Sequence, residues 1–309
     1  MSVFVVTGGA GFIGSNITEA LCARGDSIVV LDDFSSGKRK NLDNINGDVS
    51  VIEGSITDLE VCRQAVEGAD YVLHHAAQPS VPGSVADPVG TNNANLTGAI
   101  NMLVAARDAN IKRFVLAASS AAYGDSPQQP KREDMYPTPL SPYAVQKVAC
   151  EMYCAAFYQL YGLETVSFRY FNVFGPRQDP NSQYAAVVPK FITACLEGRS
   201  PIIFGNGEQT RDFVHIGDIV RANLAACDAP EKALGQVFNI GSGERITIND
   251  LAGAIKAVVG SDIEISYQDA RPGDVMHSQA DTTKAKTLLG FTPSISLREG
   301  IEMTVERYR

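Results

Sequence analysis

A glycine-rich turn near the N-terminus, Gly8-Gly-Ala-Gly-Phe-Ile-Gly14, constrains the fold of this chain more than any other feature. It follows a short apolar run with β-branched residues, Ser2 to Val6, and it opens an amphipathic pattern from Phe12 to Ala23. This order predicts a buried strand, a tight turn and a helix. It is typical of the first unit of an α/β fold.

The three spaced glycines of the turn have different roles. Gly8 allows the tight turn, Gly11 lets the backbone approach a pyrophosphate, and Gly14 permits close packing of the helix on the strand. The first N–H groups of the helix, including those of Phe12 and Ile13, would donate to the anion. The turn therefore predicts a dinucleotide site.

Acidic residues follow the second predicted strand. The predicted strand Ser27–Leu31 is followed directly by Asp32 and Asp33. This places the carboxylates within about 20 residues of the turn, as dinucleotide-binding units require. A carboxylate at Asp32 would bind the adenosine ribose hydroxyls and repel a 2′-phosphate. NAD is therefore favoured over NADP. The alternative interpretation is a structural turn followed by an acidic loop.

Strands and helices alternate through the first half of the chain, which predicts a parallel, doubly wound Rossmann-type sheet. The predicted strands are Ser2–Val6, Ser27–Leu31, Asp48–Glu53, Tyr71–His74, Arg113–Ala118 and Glu164–Arg169. The predicted helices between them are Phe12–Ala23, Leu59–Val66, Asn95–Ala109 and Pro142–Tyr161. Ligands are expected at the carboxyl ends of the strands.

After residue 170 the pattern is looser and is interrupted by proline and glycine clusters. We predict a smaller substrate domain that interleaves with the first. The NAD-binding domain would comprise residues 1–170 and 213–245, and the substrate domain residues 171–212 and 246–309. Further predicted helices are Val187–Glu197, Asp218–Cys227, Ile248–Val258, Thr283–Leu289 and Leu297–Tyr308.

Composition excludes several classes of function. The chain has 309 residues and a net charge of -9, which gives no electrostatic support for a nucleic-acid or anionic-membrane role. The six cysteines have no metal-type spacing, so we expect reduced thiols in a cytoplasmic protein and no metal. We expect no signal peptide and no membrane span, because no apolar run approaches about 18 residues.

A catalytic constellation combines Ser119 with Tyr143 and Lys147. The i,i+4 spacing of Tyr143 and Lys147 in Ser141-Pro-Tyr-Ala-Val-Gln-Lys147 places both side chains on one helix face. A cation beside a phenol favours the phenolate, the form that accepts a proton. Alone, this pair would be interpreted as a helix surface pair. Together with Ser119 and the glycine turn, it predicts an enzyme.

With these motifs and Arg169-Tyr-Phe-Asn-Val-Phe-Gly175, the chain resembles the extended short-chain dehydrogenase/reductase family. More narrowly, it is similar to the NAD-dependent UDP-hexose 4-epimerases, from residue 2 to about residue 305. Further matching motifs are Gly54-Ser-Ile-Thr-Asp58-Leu59, His75-Ala-Ala77, Arg211-Asp-Phe-Val-His215 and Arg271-Pro-Gly-Asp274. These motifs together are specific for the family and much less so for the sugar.

The resemblance implies further contacts with NAD. Asp58 and Leu59 would flank the adenine, and Asp58 is also interpretable as a helix N-cap. Ala76 and Ala77 would line the cofactor, and Phe171 would lie near the nicotinamide. Besides these, Tyr143 and Lys147 would contact NAD as well as act in catalysis.

The resemblance also implies residues that bind the UDP-sugar. Asn172 would approach the diphosphate, and Phe204 would stack on the uracil. Arg211 and Arg271 would pair with the diphosphate, since a guanidinium can bind it with two hydrogen bonds, and Asp274 would hold the uridine ribose. Without the resemblance, the two arginines would be interpreted as solvated surface charges.

The reaction that the resemblance implies is epimerisation at C4 through a transient 4-keto intermediate. Tyr143 would take the proton of the 4-hydroxyl, and Ser119 would hydrogen-bond the 4-oxygen. Related dehydratases carry Asp-Glu after the Ser/Thr, where this chain has Ala121 and Ala122. Methyl groups cannot shuttle protons, which disfavours dehydration and decarboxylation. A UDP-glucuronate 4-epimerase and a non-catalytic NAD-binding sensor stay open.

Substrate breadth is predicted from Ser278, which the resemblance places beside the 2-substituent of the sugar. A small residue leaves room for an acetamido group, and Ser120 and Ala186 would be further small walls of the same pocket. The alternative is an ordinary loop serine outside the pocket. The resemblance also predicts a homodimer that uses the Pro142–Tyr161 helix.

Overall fold

A computed structural model of the chain describes residues 1–180, 186–270 and 275–309. Arg271 and Asp274, two predicted substrate residues, lie outside the described residues. In the described ranges the strands are β1 (Val3–Thr7), β2 (Ser27–Asp32), β3 (Asp48–Glu53), β4 (Tyr71–His74), β5 (Arg113–Ser119), β6 (Thr165–Tyr170), β7 (Asn172–Phe174), β8 (Ile202–Phe204), β9 (Thr210–Arg211), β10 (Phe213–His215), β11 (Gln236–Ile240), β12 (Ile246–Thr247) and β13 (Ser266–Gln268).

Helices fill most of the connections between these strands. The α-helices of the described ranges are α1 (Phe12–Arg24), α2 (Leu59–Val66), α3 (Val81–Ala86), α4 (Pro88–Asn92), α5 (Gly98–Asp108), α6 (Pro142–Tyr161), α7 (Val187–Leu196), α8 (Ile216–Cys227), α9 (Ile248–Val259), α10 (Thr283–Leu289) and α11 (Leu297–Tyr308). A π-helical segment over Asn93–Thr97 joins α4 to α5.

Seven strands form one parallel sheet in the spatial order β3-β2-β1-β4-β5-β6-β11. The order reverses at β1, so the ligand crevice of a doubly wound sheet is expected at the carboxyl ends of β1 and β4. All six residues of β6 are buried, as in strands that are covered by helices on both faces. The predicted doubly wound α/β fold is confirmed.

Two apolar layers cover the faces of this sheet. On one face, Ile17 and Leu21 of α1 pack with Ile219 of α8 and with strand residues such as Phe168. On the other face, α2, α5 and α6 contribute residues such as Leu103. Because helices cover both faces, the edge at the strand ends is where polar side chains can reach a ligand.

Within the described residues, three short strand pairs lie outside the main sheet. β7 pairs with β10 and β8 with β13, both in parallel, and β9 pairs with β12 in the antiparallel direction. A separate apolar cluster packs three helices against one another, through residues such as Phe191 of α7, Leu251 of α9 and Ile301 of α11. The proposed division into two interleaved domains, with its boundaries, stays a prediction.

The segment Gln78-Pro-Ser-Val-Pro-Gly83, which follows β4, is partly helical, because α3 begins at Val81. Ser80 caps α3 by accepting a hydrogen bond from the backbone N–H of Gly83 at 2.8 Å. Asp87 caps α4 in the same way, through Gly90 N–H at 2.9 Å. Both helices are only one or two turns long, so they have no extended apolar period. Every helix of the described ranges is too short or too polar to be a membrane span.

Candidate active site

The glycine turn builds one wall of a cavity from backbone alone. Gly8 has a φ of 66°, and a Cβ at Gly14 would lie 2.2 Å from the carbonyl oxygen of Gly8, so neither position admits a side chain. Helix α1 begins at Phe12 after the N-cap Gly11, which has no side chain to cap it. The N–H groups of the first turn therefore stay available to a bound anion.

Asp32 lies at the end of β2, beside this turn. Its carboxylate accepts hydrogen bonds from the backbone N–H groups of Ala10 and Phe34, both at 2.9 Å, and the residue is 6% exposed. Burial raises the pKa of the Asp32 carboxyl, and the two backbone hydrogen bonds act against that shift. A Cβ at Gly37 would come within 2.6 Å of the carboxylate, so the following loop needs a glycine there.

A single cavity of about 1010 Å³ collects most of the predicted site residues. The predicted cofactor residues that line it, apart from Tyr143 and Lys147, are Gly8, Gly11, Phe12, Ile13, Gly14, Asp32, Asp33, Ala76, Ala77 and Phe171. The predicted catalytic residues Ser119, Tyr143 and Lys147 also line it, together with the predicted substrate residues Asn172 and Ala186. The cavity at the carboxyl edge of the sheet thus brings together residues from seven different segments of the chain.

Helix α6 presents Tyr143 and Lys147 to this cavity. Ser141 caps the helix through the N–H of Ala144 at 3.2 Å, which places Tyr143 in the first turn. Lys147 follows one turn later and is 5% exposed. Its Nζ donates to the carbonyl oxygen of Ala117 at 2.8 Å and lies 6.0 Å from the centre of the Tyr143 ring. A cation is therefore held beside the phenol.

Ser119 ends β5 and lines the same cavity. Its Oγ accepts a hydrogen bond from the N–H of Ala121 at 3.2 Å, which starts a 3₁₀ turn over Ser120–Tyr123. The hydroxyl hydrogen is not used by that contact, because the Oγ is the acceptor. Ser119 can therefore donate to a ligand oxygen in the cavity.

Two neighbouring histidines lie at the end of β4, and both are neutral near pH 7. The His74 Nδ1 is 2.9 Å from the Oγ1 of Thr7, and burial lowers the pKa of His74 to about 3. The His75 Nε2 is 3.1 Å from the hydroxyl of Tyr170, and burial lowers the pKa of His75 to about 4. His75 lines the cavity, but it carries no proton that it could give up as an acid at pH 7.

Several predicted site residues do not line the cavity. Asp58 caps α2 through the N–H groups of Glu60 and Val61, which agrees with its alternative interpretation as an N-cap. Five further predicted residues lie outside the lining, namely Leu59, Ser120, Phe204, Arg211 and Ser278. Ser120 adjoins Ser119, and the other substrate residues lie on the short strands or beside them.

Several segments that line the cavity are not predicted from the sequence, and two of them contribute at least four residues each. One is the loop after Asp33, where Ser35, Ser36, Gly37 and Lys38 contribute. The run of small residues directly after Asp32 and Asp33 could have indicated that this loop approaches the cofactor. The other is residues 177–180, where no local signal exists, because this segment reaches the cavity only through the fold.

Comparison with known proteins decides the family. A sequence profile described as the NAD dependent epimerase/dehydratase family matches residues 4–241, which is more than half of the chain. The chain belongs to the NAD-dependent epimerase/dehydratase family. Within the family, the UDP-glucose 4-epimerase of Mycolicibacterium smegmatis is 40% identical over 309 residues, covering 99% of this chain and 98% of that protein.

Solved structures of similar proteins agree with this assignment. The UDP-N-acetylglucosamine 4-epimerase from Methanobrevibacter ruminantium, in complex with UDP-N-acetylmuramic acid, superposes with a TM-score of 0.95 at 42% identity, over 99% of this chain and 98% of that one. The UDP-glucose 4-epimerase from Thermotoga maritima, with UDP-glucose, has a TM-score of 0.94 at 40% identity, with the same coverage.

These findings confirm the predicted family, the predicted isomerase class and NAD as the cofactor. The residues around the cavity also fit NAD. The uncapped start of α1 suits a pyrophosphate, and the glycines leave space where side chains would collide. The buried carboxylate of Asp32 suits ribose hydroxyls and would repel a 2′-phosphate. The roles of the individual residues stay predictions.

Proposed function

We propose that this enzyme interconverts UDP-hexoses at C4 through a transient 4-keto intermediate. Its substrates would be UDP-glucose and UDP-galactose, and also UDP-N-acetylglucosamine and UDP-N-acetylgalactosamine. The observation that carries the proposal is the meeting of Ser119, Tyr143 and Lys147 in the cavity that the glycine turn builds. The proposed proton acceptor, Tyr143, and the cation, Lys147, thus lie in the same cavity as the proposed dinucleotide site.

The chain's own residues would handle the protons of the reaction. Bound NAD would supply a reversible acceptor for the C4 hydride, so that a full cycle has no net redox change. Tyr143 would take the proton of the 4-hydroxyl, and Ser119 would hydrogen-bond the same oxygen. The Lys147 ammonium has three donors and gives one to Ala117, so two stay available for Tyr143 and the nicotinamide ribose.

The residues after Ser119 disfavour elimination of water. Ala121 and Ala122 occupy the positions where dehydratases of the resembled family carry an acid–base pair. Ala122 is fully buried, so its methyl group is part of the packing and has no access to a substrate. With alanines at these two positions, the chain has no acid–base pair there that could protonate a leaving hydroxide.

The predicted substrate residues lie on segments that are bonded to one another. Asn172 opens β7, and its N–H donates to the carbonyl oxygen of Asp212 at 3.0 Å, next to Arg211. Ser278 donates its N–H to the carbonyl oxygen of Thr210 at 3.2 Å, on the other side of Arg211. This arrangement supports a shared role for the three segments in holding one nucleotide sugar.

Ser278 carries the proposal of broad substrate range. A serine at this place leaves space beside the 2-substituent of the sugar that a large aromatic ring would occupy, since overpacking costs about 1–3 kcal/mol. A UDP-hexose with a 2-hydroxyl needs less of that space. Both classes of sugar should therefore be accepted.

A panel of UDP-sugars tests this function. The protein is incubated with each sugar, and the products are separated by chromatography. Interconversion of UDP-glucose and UDP-galactose, and of their N-acetylated forms, is the expected result. Turnover of UDP-glucuronate alone would support the alternative uronate epimerase. Stoichiometric bound NAD without turnover of any UDP-sugar would support a non-catalytic sensor.

We also propose that the enzyme is a homodimer that pairs through α6. Val145, Met152 and Leu160 of this helix are 53%, 62% and 73% exposed. Their spacing of seven and eight residues puts them on one side of the helix, where they form an apolar stripe. Tyr153, 40% exposed, widens the stripe. A second copy of the chain would cover it.

A further inference from the structure

The segment that carries Ser278 is an extended stretch, residues 276–281, held along both edges. On the first edge, the N–H of Thr210 donates to the carbonyl oxygen of Met276 at 2.9 Å. The N–H of Ser278 donates to the carbonyl oxygen of Thr210 at 3.2 Å. The side chains of Thr210 and His277 also meet at 2.9 Å. This edge ties the segment to β9.

Gln129 holds the second edge with its side chain. Its Nε2 donates to the carbonyl oxygen of His277 at 2.7 Å, and its Oε1 accepts from the N–H of Gln279 at 3.2 Å. The carboxamide thus stands in for a strand residue, since it offers one donor and one acceptor to a neighbouring chain. Lys131 continues the pairing through backbone bonds to Gln279 and Asp281, at 2.7 and 2.8 Å.

Both bonds of Gln129 fall on the two residues that flank Ser278. Side chains alternate between the faces of an extended segment, so Ser278 shares its face with Ala280. Ala280 packs against Tyr123 and Phe171, and Phe171 lines the cavity. Ser278 therefore lies on the face of the segment that is turned toward Phe171, although Ser278 itself does not line the cavity.

We propose that Gln129 is a positioning residue for sugar specificity. It fixes the backbone on both sides of Ser278 and so sets the space beside the 2-substituent of the sugar. This inference rests on the proposed function. Without the carboxamide, the carbonyl of His277 and the N–H of Gln279 lose their partners, and the wall can shift. A bulky 2-acetamido group fills the space beside Ser278, so a shift of the wall weakens its binding. A 2-hydroxyl is smaller and leaves space between the sugar and the wall, so its binding changes little.

The test compares Gln129→Leu, which removes both bonds, with Gln128→Leu, a change at the neighbouring exposed glutamine. Steady-state kinetics are measured with UDP-N-acetylglucosamine and with UDP-glucose. For Gln129→Leu, kcat/KM for the N-acetylated sugar should fall about tenfold, the equivalent of one lost hydrogen bond, and mainly through KM. The value for UDP-glucose should stay within about twofold, and Gln128→Leu should resemble the wild type.

Equal changes for both sugars, or no change for either, would overturn the proposal. If the wild type turns over only plain UDP-hexoses, the proposed breadth fails, but Gln129 is still tested by competitive inhibition. UDP-N-acetylglucosamine must then inhibit Gln129→Leu more weakly than the wild type, and an unchanged inhibition constant contradicts the role. Gln129→Glu keeps the acceptor for Gln279 and loses the donor to His277, so a smaller selective effect is expected if the leucine variant does not fold.

Discussion

At the scale of single residues, one strand organises the proposed chemistry. β5 supplies the hydroxyl of Ser119 at its end and, two residues earlier, the carbonyl of Ala117 that accepts from Lys147. The helical spacing of Tyr143 and Lys147 then places the phenol on the same side. A change of the Ser119, Tyr143 or Lys147 side chain should alter catalysis without altering the core, because all three line the cavity.

Tyr143→Phe removes one oxygen and almost no volume. The fold should therefore be retained, with an unchanged thermal unfolding midpoint. Loss of the proton acceptor should lower kcat roughly 10²–10⁴-fold. Turnover of UDP-glucose by the purified variant, measured together with its unfolding curve, checks this. Activity near that of the wild type in a folded variant would mean that another group accepts the proton.

Ser278→Tyr should abolish turnover of N-acetylated UDP-hexoses and spare plain ones. The ring would fill the space that the acetamido group needs, with an overpacking cost of about 1–3 kcal/mol or more. Product analysis with both classes of sugar measures the effect, and Ser278→Ala is the control that should keep both activities. Equal loss of both activities in the tyrosine variant would contradict this account of the pocket.

At the scale of elements, residues 176–180 run across the rim of the cofactor cavity like a strap. Asn16 of α1 donates to the carbonyl oxygen of Pro176 at 3.2 Å, and Arg177 forms an ion pair with Glu19 at 2.8 Å. On the other side, Lys38 of the loop after β2 forms an ion pair with Asp179, and both residues line the cavity. The strap thus joins α1 to the loop after β2 at the proposed NAD site.

Breaking the Lys38–Asp179 pair should speed the loss of bound NAD. Both side chains are half-exposed, so Lys38→Ala should raise the dissociation rate only about two- to fivefold. NAD that passes into the filtrate over time measures this rate. Arg39→Ala is the control, because its ion pair with Glu53 is exposed and Arg39 does not line the cavity. Equal rates for the two variants would contradict a role for the pair.

At the scale of the whole molecule, the centre of the sheet makes stability depend on pH. Burial lowers the pKa of His74 to about 3 and that of His75 to about 4, so both are neutral in the folded protein. The unfolded chain binds these protons below about pH 6.5. Because the unfolded state then binds more protons, the stabilisation is present above that pH and is lost as the pH falls towards about 4.

His74 alone should account for about 2 kcal/mol of lost unfolding free energy between pH 7 and pH 5. Urea unfolding of the wild type and of His74→Asn at both pH values measures the difference in slope. Asparagine can keep a hydrogen bond to Thr7 but does not titrate. The same loss between the two pH values in both proteins would contradict the effect.

The proposed dimer is a second property of the whole molecule. Met152→Glu and Leu160→Glu each place a charge in the apolar stripe of α6, and each should convert a dimer into a monomer. Light scattering after gel filtration measures the molar mass. Met303→Glu on α11 is the matched control, since Met303 is 46% exposed and lies on another helix. A monomeric wild type would rule the dimer out.

Sequence alone determined the features that depend on neighbouring residues. The glycine turn, the acidic end of β2 and the Tyr143–Lys147 spacing follow from turn chemistry and helical periodicity, and the six first strands and most helices follow from apolar patterns. Helices α6, α10 and α11 begin and end at the predicted residues. Each of these signals lies within about 20 residues of chain, so no knowledge of the fold is needed.

Tertiary structure alone decided the contacts between distant parts of the chain. β11 joins the sheet beside β6 although 70 positions separate Val166 from its partner Gln236, and Lys38 meets Asp179 across 141 positions. Gln129 reaches His277 across 148 positions. A single ion pair or side-chain amide contributes too little stabilising free energy to determine the structure of the residues around it. No local sequence pattern therefore identifies such pairs. Only the packed sheet and its crossovers bring them together.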